Sequence, residues 1–99
     1  RDFIYVGDVA EIVLRIIEED LFDNNTYNVG TGRPTTINEL ARIVMEVLGR
    51  EGLNVIHERE RPGDIRHSYA DVSRLRMRIN MNPTPLDIGL RKTLNAIIT

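Results

Sequence analysis

The sequence predicts one small domain of the α/β class, with mixed α+β character, in which short strands accompany about four helices. The chain has 99 residues, of which 41% are hydrophobic, and this length suits a single modest core. Apolar residues recur at helical spacing in several segments, while β-branched and aromatic runs lie between turn-forming residues. No repeat or linker divides the chain, so we expect residues 1–99 to form one unit.

The composition excludes several classes of function. A net charge of -2 and a pI near 5.7 argue against a nucleic-acid binder, which needs a surplus of Lys and Arg on one face. No apolar run approaches the roughly 20 residues that span a bilayer. The absence of cysteine excludes disulfides, a thiol nucleophile and a Cys-type zinc site. We therefore expect a soluble cytoplasmic protein with no nucleic-acid or membrane partner.

The first third of the chain reads as a strand, a helix and a second strand. Residues 1–6 (RDFIYV) favour a strand, and Asp8 is the expected N-cap of the helix that follows. That helix has one apolar face, which we expect to be buried. The face consists of Val9, Ile12, Val13, Ile16 and Ile17. A short strand is expected over residues 27–29.

The clearest helix signal follows the loop Gly30–Pro34. Thr36 and Glu39 form a T-x-x-E capping box, in which the Thr36 hydroxyl accepts the N–H of Glu39 while the Glu39 side chain returns to the N–H of Thr36. The apolar stripe consists of Ile37, Leu40, Ala41, Val44, Val47 and Leu48. Gly49 is the expected C-terminal stop.

The last half predicts two more strands and two more helices. The strands are expected at residues 53–57 and 66–70, with a loop between them. Asp71 should begin a short helix that carries Val72 and Leu75. A final helix should begin at Thr84-Pro85, with an apolar stripe of Leu86, Leu90, Leu94 and Ile97.

The loop Arg61–Asp64 (RPGD) is the strongest candidate for chemistry. Pro62 fixes one backbone angle and Gly63 permits a left-handed one, so the turn can hold Arg61 and Asp64 in a defined relation. Such an arginine can bind a phosphate, and such an aspartate can accept sugar hydroxyls. The alternative is a surface salt bridge between the two, worth at most about 1 kcal/mol. Residue types alone do not decide between them.

Other site chemistries have weaker support. Two histidines, His57 and His67, without a third ligand make a metal site improbable. Ser68 and Ser73 lie in no nucleophile turn of the G-x-S-x-G kind. The segment Gly30-Thr31-Gly32 has too few glycines for a dinucleotide fingerprint and no Gly-Lys-Ser/Thr, which favours a plain turn before a helix.

Four segments in order carry a family resemblance. RDFIYVGDVA, YNVGTGRPTTINEL, RPGDIRHSYADVSRL and PLDIGLRKT resemble the C-terminal part of extended short-chain dehydrogenase/reductase enzymes that act on sugar nucleotides, closest to the UDP-glucose 4-epimerases. The resemblance implies a parent about three times longer, whose N-terminal Rossmann domain binds NAD and is absent from this chain. It also implies a UDP-sugar substrate and a parent that can form a homodimer. The chain begins without Met, so we expect a piece of that parent.

The resemblance assigns candidate site residues by motif. Arg1 and Arg61 are similar to the family's two arginines that contact the pyrophosphate, and Asp64 to the acid that binds the ribose hydroxyls. Ile37 lies where the family packs an apolar side chain near the nucleoside. We therefore predict a substrate site formed by Arg1, Ile37, Arg61 and Asp64.

The departures from the family bear on activity. The chain has no G-x-x-G-x-x-G, and Tyr5, Tyr27 and Tyr69 lack a lysine four residues later, so it carries neither the cofactor loop nor the catalytic pair. We expect no catalytic, cofactor-binding or metal-binding residue and no epimerase activity in this chain alone. Asp64 after the Pro-Gly favours an epimerase over a 4,6-dehydratase, while decarboxylase and uronate-epimerase relatives stay open. The alternative from another class is a non-catalytic interaction module. If the chain is a piece of an enzyme, the segment through residues 9–17 should expose an apolar surface for the missing domain.

Overall fold

The computed structural model describes residues 1–98, which contain four α-helices joined by extended and turn segments. The helices are α1 (Val6–Glu18), α2 (Ile37–Leu48), α3 (Ser73–Arg76) and α4 (Leu86–Ile98). All four helices that the periodicity predicts are present. None of them, within these residues, is long and apolar enough to cross a membrane.

The predicted strands are not found, so the β part of the α/β prediction is wrong for residues 1–98. The strands were predicted at residues 1–6, 27–29, 53–57 and 66–70. A strand needs a neighbouring edge to satisfy its backbone groups, and β propensity alone supplies none. Every residue from 51 to 69 is exposed, so two of these segments lie on the surface without a partner strand inside the described chain.

Helix α1 begins earlier than predicted, with Tyr5 at the N-cap and Asp8 already inside the first turn. The prediction that Asp8 caps the helix is therefore wrong. Its carboxylate instead accepts the backbone N–H of Thr84 at 2.8 Å and the Thr84 hydroxyl at 2.7 Å. Asp8 thus connects α1 to the segment that leads into α4. Helix α4 begins at Leu86, one residue after the predicted first helical position at Pro85.

Helix α1 carries two apolar faces instead of the single buried one that was predicted. Ile12 is 4% exposed and packs in the core, with Ile16 beside it. The other face is open to solvent and consists of Val6, Val13, Leu14 and Ile17, which are 72%, 52%, 52% and 59% exposed. We call these four residues the outer face of α1. An apolar surface is therefore exposed on this segment, as predicted for a chain that is a piece of a larger enzyme.

The core lies between α1 and the segment around α3. Ile12, Leu75 and Ile79 form a buried cluster, and Val72 is also buried. Partly buried side chains pack against the cluster, namely Ile16, Leu21, Tyr27 and Met81. Helices α2 and α4 pack against each other. The predicted short helix is present and carries the buried Leu75, but its start at Asp71 is wrong, because Val72 is the N-cap and the helix begins at Ser73. The Asp71 carboxylate instead accepts the N–H and the hydroxyl of Ser73, at 3.0 Å and 2.7 Å.

Helix α2 has the ends that its sequence predicts. The Thr36 hydroxyl accepts the backbone N–H of Glu39 at 3.1 Å, which satisfies one of the free donors of the first turn. The predicted return bond is not formed, because the Glu39 carboxylate lies 3.8 Å from the Arg42 guanidinium instead. Gly49 ends the helix with φ of 69°, a left-handed conformation that glycine adopts without a steric penalty. These two ends fix where α2 starts, and its start borders the candidate site.

The chain exposes more surface than a compact protein of its mass. Its accessible surface is 7983 Å², whereas a compact monomer of 11.3 kDa exposes about 5,700 Å². The radius of gyration is 16.1 Å, against about 13 Å for a compact domain of this length. The excess of roughly 2,300 Å² is in the range that a stable protein interface buries.

Candidate functional site

The RPGD loop forms the tight turn that Pro62 and Gly63 predict. Gly63 has φ of 87°, and the N–H of Asp64 donates to the carbonyl oxygen of Arg61 at 3.1 Å. The Asp64 carboxylate closes the turn by accepting the N–H of Arg61 through Oδ2 at 2.8 Å. The turn is therefore held by its own hydrogen bonds, and the two charged side chains stand on a fixed base.

The alternative salt bridge between Arg61 and Asp64 is not formed. Among the ion pairs within 4.0 Å in residues 1–98, none joins these two side chains. Asp64 bonds the backbone instead, through one carboxylate oxygen. The Arg61 guanidinium and the second oxygen of Asp64 are thereby left for a ligand.

The backbone of Arg1 is anchored to the loop that precedes α2. The Arg1 nitrogen donates to the carbonyl oxygen of Thr35 at 3.0 Å, and the N–H of Thr35 returns a bond to the Arg1 carbonyl at 2.7 Å. This reciprocal pair fixes the base of the Arg1 side chain relative to the start of α2.

One cleft of about 670 Å³ is lined by all four predicted site residues, Arg1, Ile37, Arg61 and Asp64. The volume suits a small-molecule ligand, since such sites run from about 300 to 1,000 Å³. Polar side chains complete the lining, among them Thr35, Thr36, Glu39, Glu60, Arg66 and His67. Residues that are 60 positions apart in the sequence therefore border one opening.

The charges of the cleft favour an anion at Arg1 and Arg61. Arg66 is paired with Glu60 at 3.4 Å. The Glu39 carboxylate is paired with the Arg42 guanidinium at 3.8 Å. Within the described residues, neither the Arg1 guanidinium nor the Arg61 guanidinium has a carboxylate within 4.0 Å. The start of α2 at Ile37 borders the same opening, where the positive end of the helix dipole also favours an anion.

A second depression of about 620 Å³ also touches Arg1, but its chemistry is less suited to an anion. Arg1 is the one cation among its lining residues in the described chain, and the carboxylates of Asp2 and Asp71 share the lining. Two acidic groups beside one basic group disfavour a doubly charged phosphate ligand. We therefore place the candidate site in the larger cleft.

The two histidines do not come together. His57 Nε2 lies 2.8 Å from Asn38 Oδ1, which ties the exposed segment before the turn to α2. His67 lines the cleft. In the part of the chain that the structure describes, no three His, Cys, Asp or Glu side chains are grouped so as to hold a metal ion.

The glycine-containing turn before α2 binds a carboxylate of the protein itself. The N–H groups of Thr31 and Gly32 both donate to Asp2, at 2.9 Å each. The Thr31 hydroxyl and the N–H of Ala70 complete four bonds to that carboxylate, at 2.5 Å and 3.1 Å. Partial burial raises the pKa of Asp2, but these hydrogen bonds outweigh it and hold the pKa below its ordinary value of 3.8.

This arrangement does not fit NAD. A dinucleotide pyrophosphate would need the N–H groups that Asp2 already occupies, and it would meet the negative charge of that side chain. This turn therefore supplies no cradle for the pyrophosphate of the cofactor. The interpretation of Gly30-Thr31-Gly32 as a plain turn before a helix agrees with this geometry.

Asp2 is the residue that sequence reasoning missed. It stands inside a stretch that reads as a strand, so it was treated as part of RDF without a role of its own. The sequence offers two signals for such a role, a carboxylate in an apolar stretch and a glycine at position 30. In the structure, a Cβ on residue 30 would lie 2.7 Å from Asp2 Oδ2. Close backbone approach of this kind requires glycine.

The chain is similar to several curated enzymes of sugar-nucleotide metabolism. It is 36% identical over 74 residues to a putative UDP-glucose 4-epimerase of Methanocaldococcus jannaschii, covering 75% of this chain and 23% of the relative. It is 34% identical to a dTDP-4-dehydro-6-deoxy-D-allose reductase of Streptomyces bikiniensis, covering 94% of this chain and 28% of the relative. It is 31% identical to a GDP-L-fucose synthase of Escherichia coli, covering 94% and 31%.

The chain thus spans about a quarter to a third of the length of the curated relatives it matches. No family profile matches it, and no solved structure matches it. The names of these three relatives denote different activities, but each name includes a sugar nucleotide. These similarities support a relationship of the chain to the sugar-nucleotide epimerases and reductases of the short-chain dehydrogenase/reductase type.

Proposed function

We propose that this chain is the nucleotide-sugar-binding part of a UDP-sugar 4-epimerase, acting on UDP-glucose and UDP-galactose or on their N-acetylhexosamine equivalents. The observation that carries the proposal is the single cleft that Arg1, Ile37, Arg61 and Asp64 line together. Two cations without carboxylate partners, a carboxylate and an apolar side chain are the groups that a nucleoside diphosphate calls for.

Each of these residues has a role in the proposal. Arg1 and Arg61 bind the pyrophosphate oxygens from opposite sides of the cleft, with charge-assisted hydrogen bonds. Asp64 accepts a ribose hydroxyl hydrogen through Oδ1, because Oδ2 holds the turn. Ile37 is 59% exposed and packs against the nucleoside. The chain binds and orients the substrate in this account.

The remaining chemistry belongs to a domain outside this chain. We propose a parent with an N-terminal Rossmann domain that binds NAD and supplies the general base, and that forms the homodimer. The outer face of α1 and the surface excess of roughly 2,300 Å² support a large partner surface of this kind. The chain alone is expected to be inactive, and interconversion of UDP-glucose and UDP-galactose by the purified chain would contradict the proposal.

A second candidate is a reductase that acts on a nucleotide-linked keto sugar. Two relatives whose names denote a reductase and a GDP-L-fucose synthase align with 94% of the chain, more than the 75% aligned with the named epimerase. The two candidates differ in the nucleotide that the site prefers. Tighter binding of UDP than of dTDP or GDP favours the epimerase, and the opposite order favours the reductase.

Titration calorimetry with UDP tests the proposed site. We expect weak binding by the unmodified chain, lowered about tenfold or more by Arg61→Ala and by Asp64→Ala, since each substitution removes a hydrogen bond to a charged group. Arg91→Ala is the matched control, because Arg91 is an exposed arginine on α4 outside the cleft. Equal affinity of all four proteins for UDP would contradict the proposed roles of Arg61 and Asp64.

A further inference from the structure

We propose that Asp2 is a positioning residue, which holds Arg1 in place at the cleft so that its guanidinium meets the diphosphate of the ligand. The proposal rests on the proposed function, because it names a residue that serves the same site. Asp2 does not line the cleft itself. It acts through the three chain segments that its carboxylate joins, and each of those segments contributes to the cleft wall.

The carboxylate connects segments that are far apart in the sequence. Its bonds to Thr31 and Gly32 hold the turn that runs on to Thr35 and the start of α2. Its bond to the N–H of Ala70 holds the segment that follows His67 in the cleft wall. A side chain that is half-buried and accepts four hydrogen bonds is a rigid junction, because each bond restricts the others.

Arg1 is fixed from two sides as a result. Its own backbone is bonded reciprocally to Thr35, and the next residue is held by Thr31 and Gly32. These bonds fix the position of the Arg1 Cα relative to the start of α2. Preorganised placement of this kind lowers the entropy that binding a phosphate would otherwise cost.

The same bonds keep Asp2 from neutralising its neighbour. A carboxylate that accepts four donors has its lone pairs largely occupied, so it gains little from a guanidinium. In the described chain, Asp2 forms no ion pair with Arg1 within 4.0 Å. The two adjacent residues therefore have different roles: the Asp2 carboxylate holds the structure together, and the Arg1 guanidinium is left for the ligand.

A double-mutant cycle with UDP tests this inference. The affinity is measured by NMR titration of the 99-residue chain, with Asp2→Asn introduced into the unmodified chain, into Arg1→Ala and into Arg61→Ala. Asn has the shape of Asp but presents a donor to the N–H groups. We expect Asp2→Asn to weaken UDP binding about tenfold in the unmodified chain and in Arg61→Ala. In Arg1→Ala it should cause no further loss, because Arg1 is the group through which Asp2 acts.

The control is Asp8→Asn, since Asp8 is a carboxylate of the same kind that accepts an N–H and a hydroxyl outside the cleft. It should change UDP affinity by less than about twofold while lowering the melting temperature. If Asp2→Asn does not fold, Thr31→Val takes its place. This variant removes the hydroxyl bond to Asp2, together with the bonds between that hydroxyl and the backbone of Arg33, and leaves the three N–H bonds to Asp2 in place. It should show the same dependence on Arg1 with a smaller effect.

The outcomes separate the inference from the proposed function. An equal loss from Asp2→Asn with and without Arg1 would mean a purely structural role and would overturn the inference. The same conclusion follows if Asp2→Asn affects UDP binding no more than Asp8→Asn does. Both results leave the proposed function standing, provided that Arg1→Ala and Arg61→Ala weaken binding. No binding of UDP by the unmodified chain would overturn both.

Discussion

The two apolar faces of α1 should respond very differently to truncation. Ile12, at 4% exposed, packs against Leu75 and Ile79, whereas Leu14 on the outer face is 52% exposed. If the outer face is built for a partner, the isolated chain should hardly depend on it. We predict that Ile12→Ala is severely destabilising and that Leu14→Ala is nearly neutral.

The magnitudes follow from the burial of each side chain. Truncating a fully buried Ile to Ala removes apolar contact and leaves a cavity, at a cost of about 2 to 5 kcal/mol. Leu14 keeps half of its surface in water, so its truncation should cost at most about 1 kcal/mol. For a domain of this length each kcal/mol lowers the melting temperature by about 4 to 8 °C. Ile12→Ala should therefore lose at least about 8 °C, which is about two to five times the loss for Leu14→Ala.

Thermal unfolding followed by circular dichroism measures both effects in the 99-residue chain. Ile12→Val, with an expected cost of about 0.5 to 1.5 kcal/mol, gives a measurable series if the alanine variant is unfolded at room temperature. The melting curves are recorded at two protein concentrations, which would reveal self-association through the outer face. A loss for Leu14→Ala as large as that for Ile12→Ala, independent of concentration, would refute the idea that this face is unused in the chain alone.

Three further predictions concern the framework of the site. Thr36→Ala should lower the free energy of unfolding by about 1 kcal/mol in urea titrations, because it removes the bond to the N–H of Glu39; Thr36→Ser should retain most of it. Gly30→Ala should cost about 1 to 3 kcal/mol, since its Cβ would lie 2.7 Å from both Ala70 Cβ and Asp2 Oδ2; a neutral result would contradict the close packing of Gly30 against these two residues. The lowered pKa of Asp2 stabilises the fold above its unfolded pKa near 3.8, and this contribution is lost as the pH falls through the lower folded value. Urea titrations between neutral pH and pH 2 should therefore show a shallower acid loss in Asp2→Asn than in the unmodified chain, and parallel curves would count against the bonds to Asp2.

Local patterns in the sequence were sufficient to predict the helices. The capping box at Thr36 and the glycine at position 49 define α2 from neighbours within a few residues, and the structure has both ends as predicted. The turn at Gly63 was equally local. Such features depend on backbone sterics and short-range hydrogen bonds, which the sequence alone determines.

Features that depend on distant partners could not be predicted in the same way. Asp8 looked like a helix cap, but Thr84 offers two donors across 76 positions and takes the carboxylate instead. Apolar residues of α1 looked like one buried face, yet no described segment covers Val13 or Ile17. The predicted strands fail for the same reason, because pairing requires an edge that the periodicity of one segment cannot reveal.

Sequence motifs were sufficient to propose the residues of the candidate site, but only the fold shows that they line one cleft. Arg61 and Asp64 are close in sequence, so a turn was a local prediction, but Arg1 is joined to them only because its backbone pairs with Thr35. The function of Asp2 was hidden because all four of its bonds are to residues at least 29 positions away. Long-range hydrogen bonds of this kind leave no periodic trace in a single sequence.

The central claim is that the cleft between Arg1 and the RPGD turn binds a nucleoside diphosphate. Its most direct test is a map of amide chemical shifts in the 99-residue chain as UDP is added. We predict that the shifts concentrate at residues 35–37, at Arg61 and at residues 64–67, which line the cleft, and that they saturate with a single affinity. No saturable shifts at these residues, or shifts confined to the depression lined by Ser68 and Asp71, would contradict it.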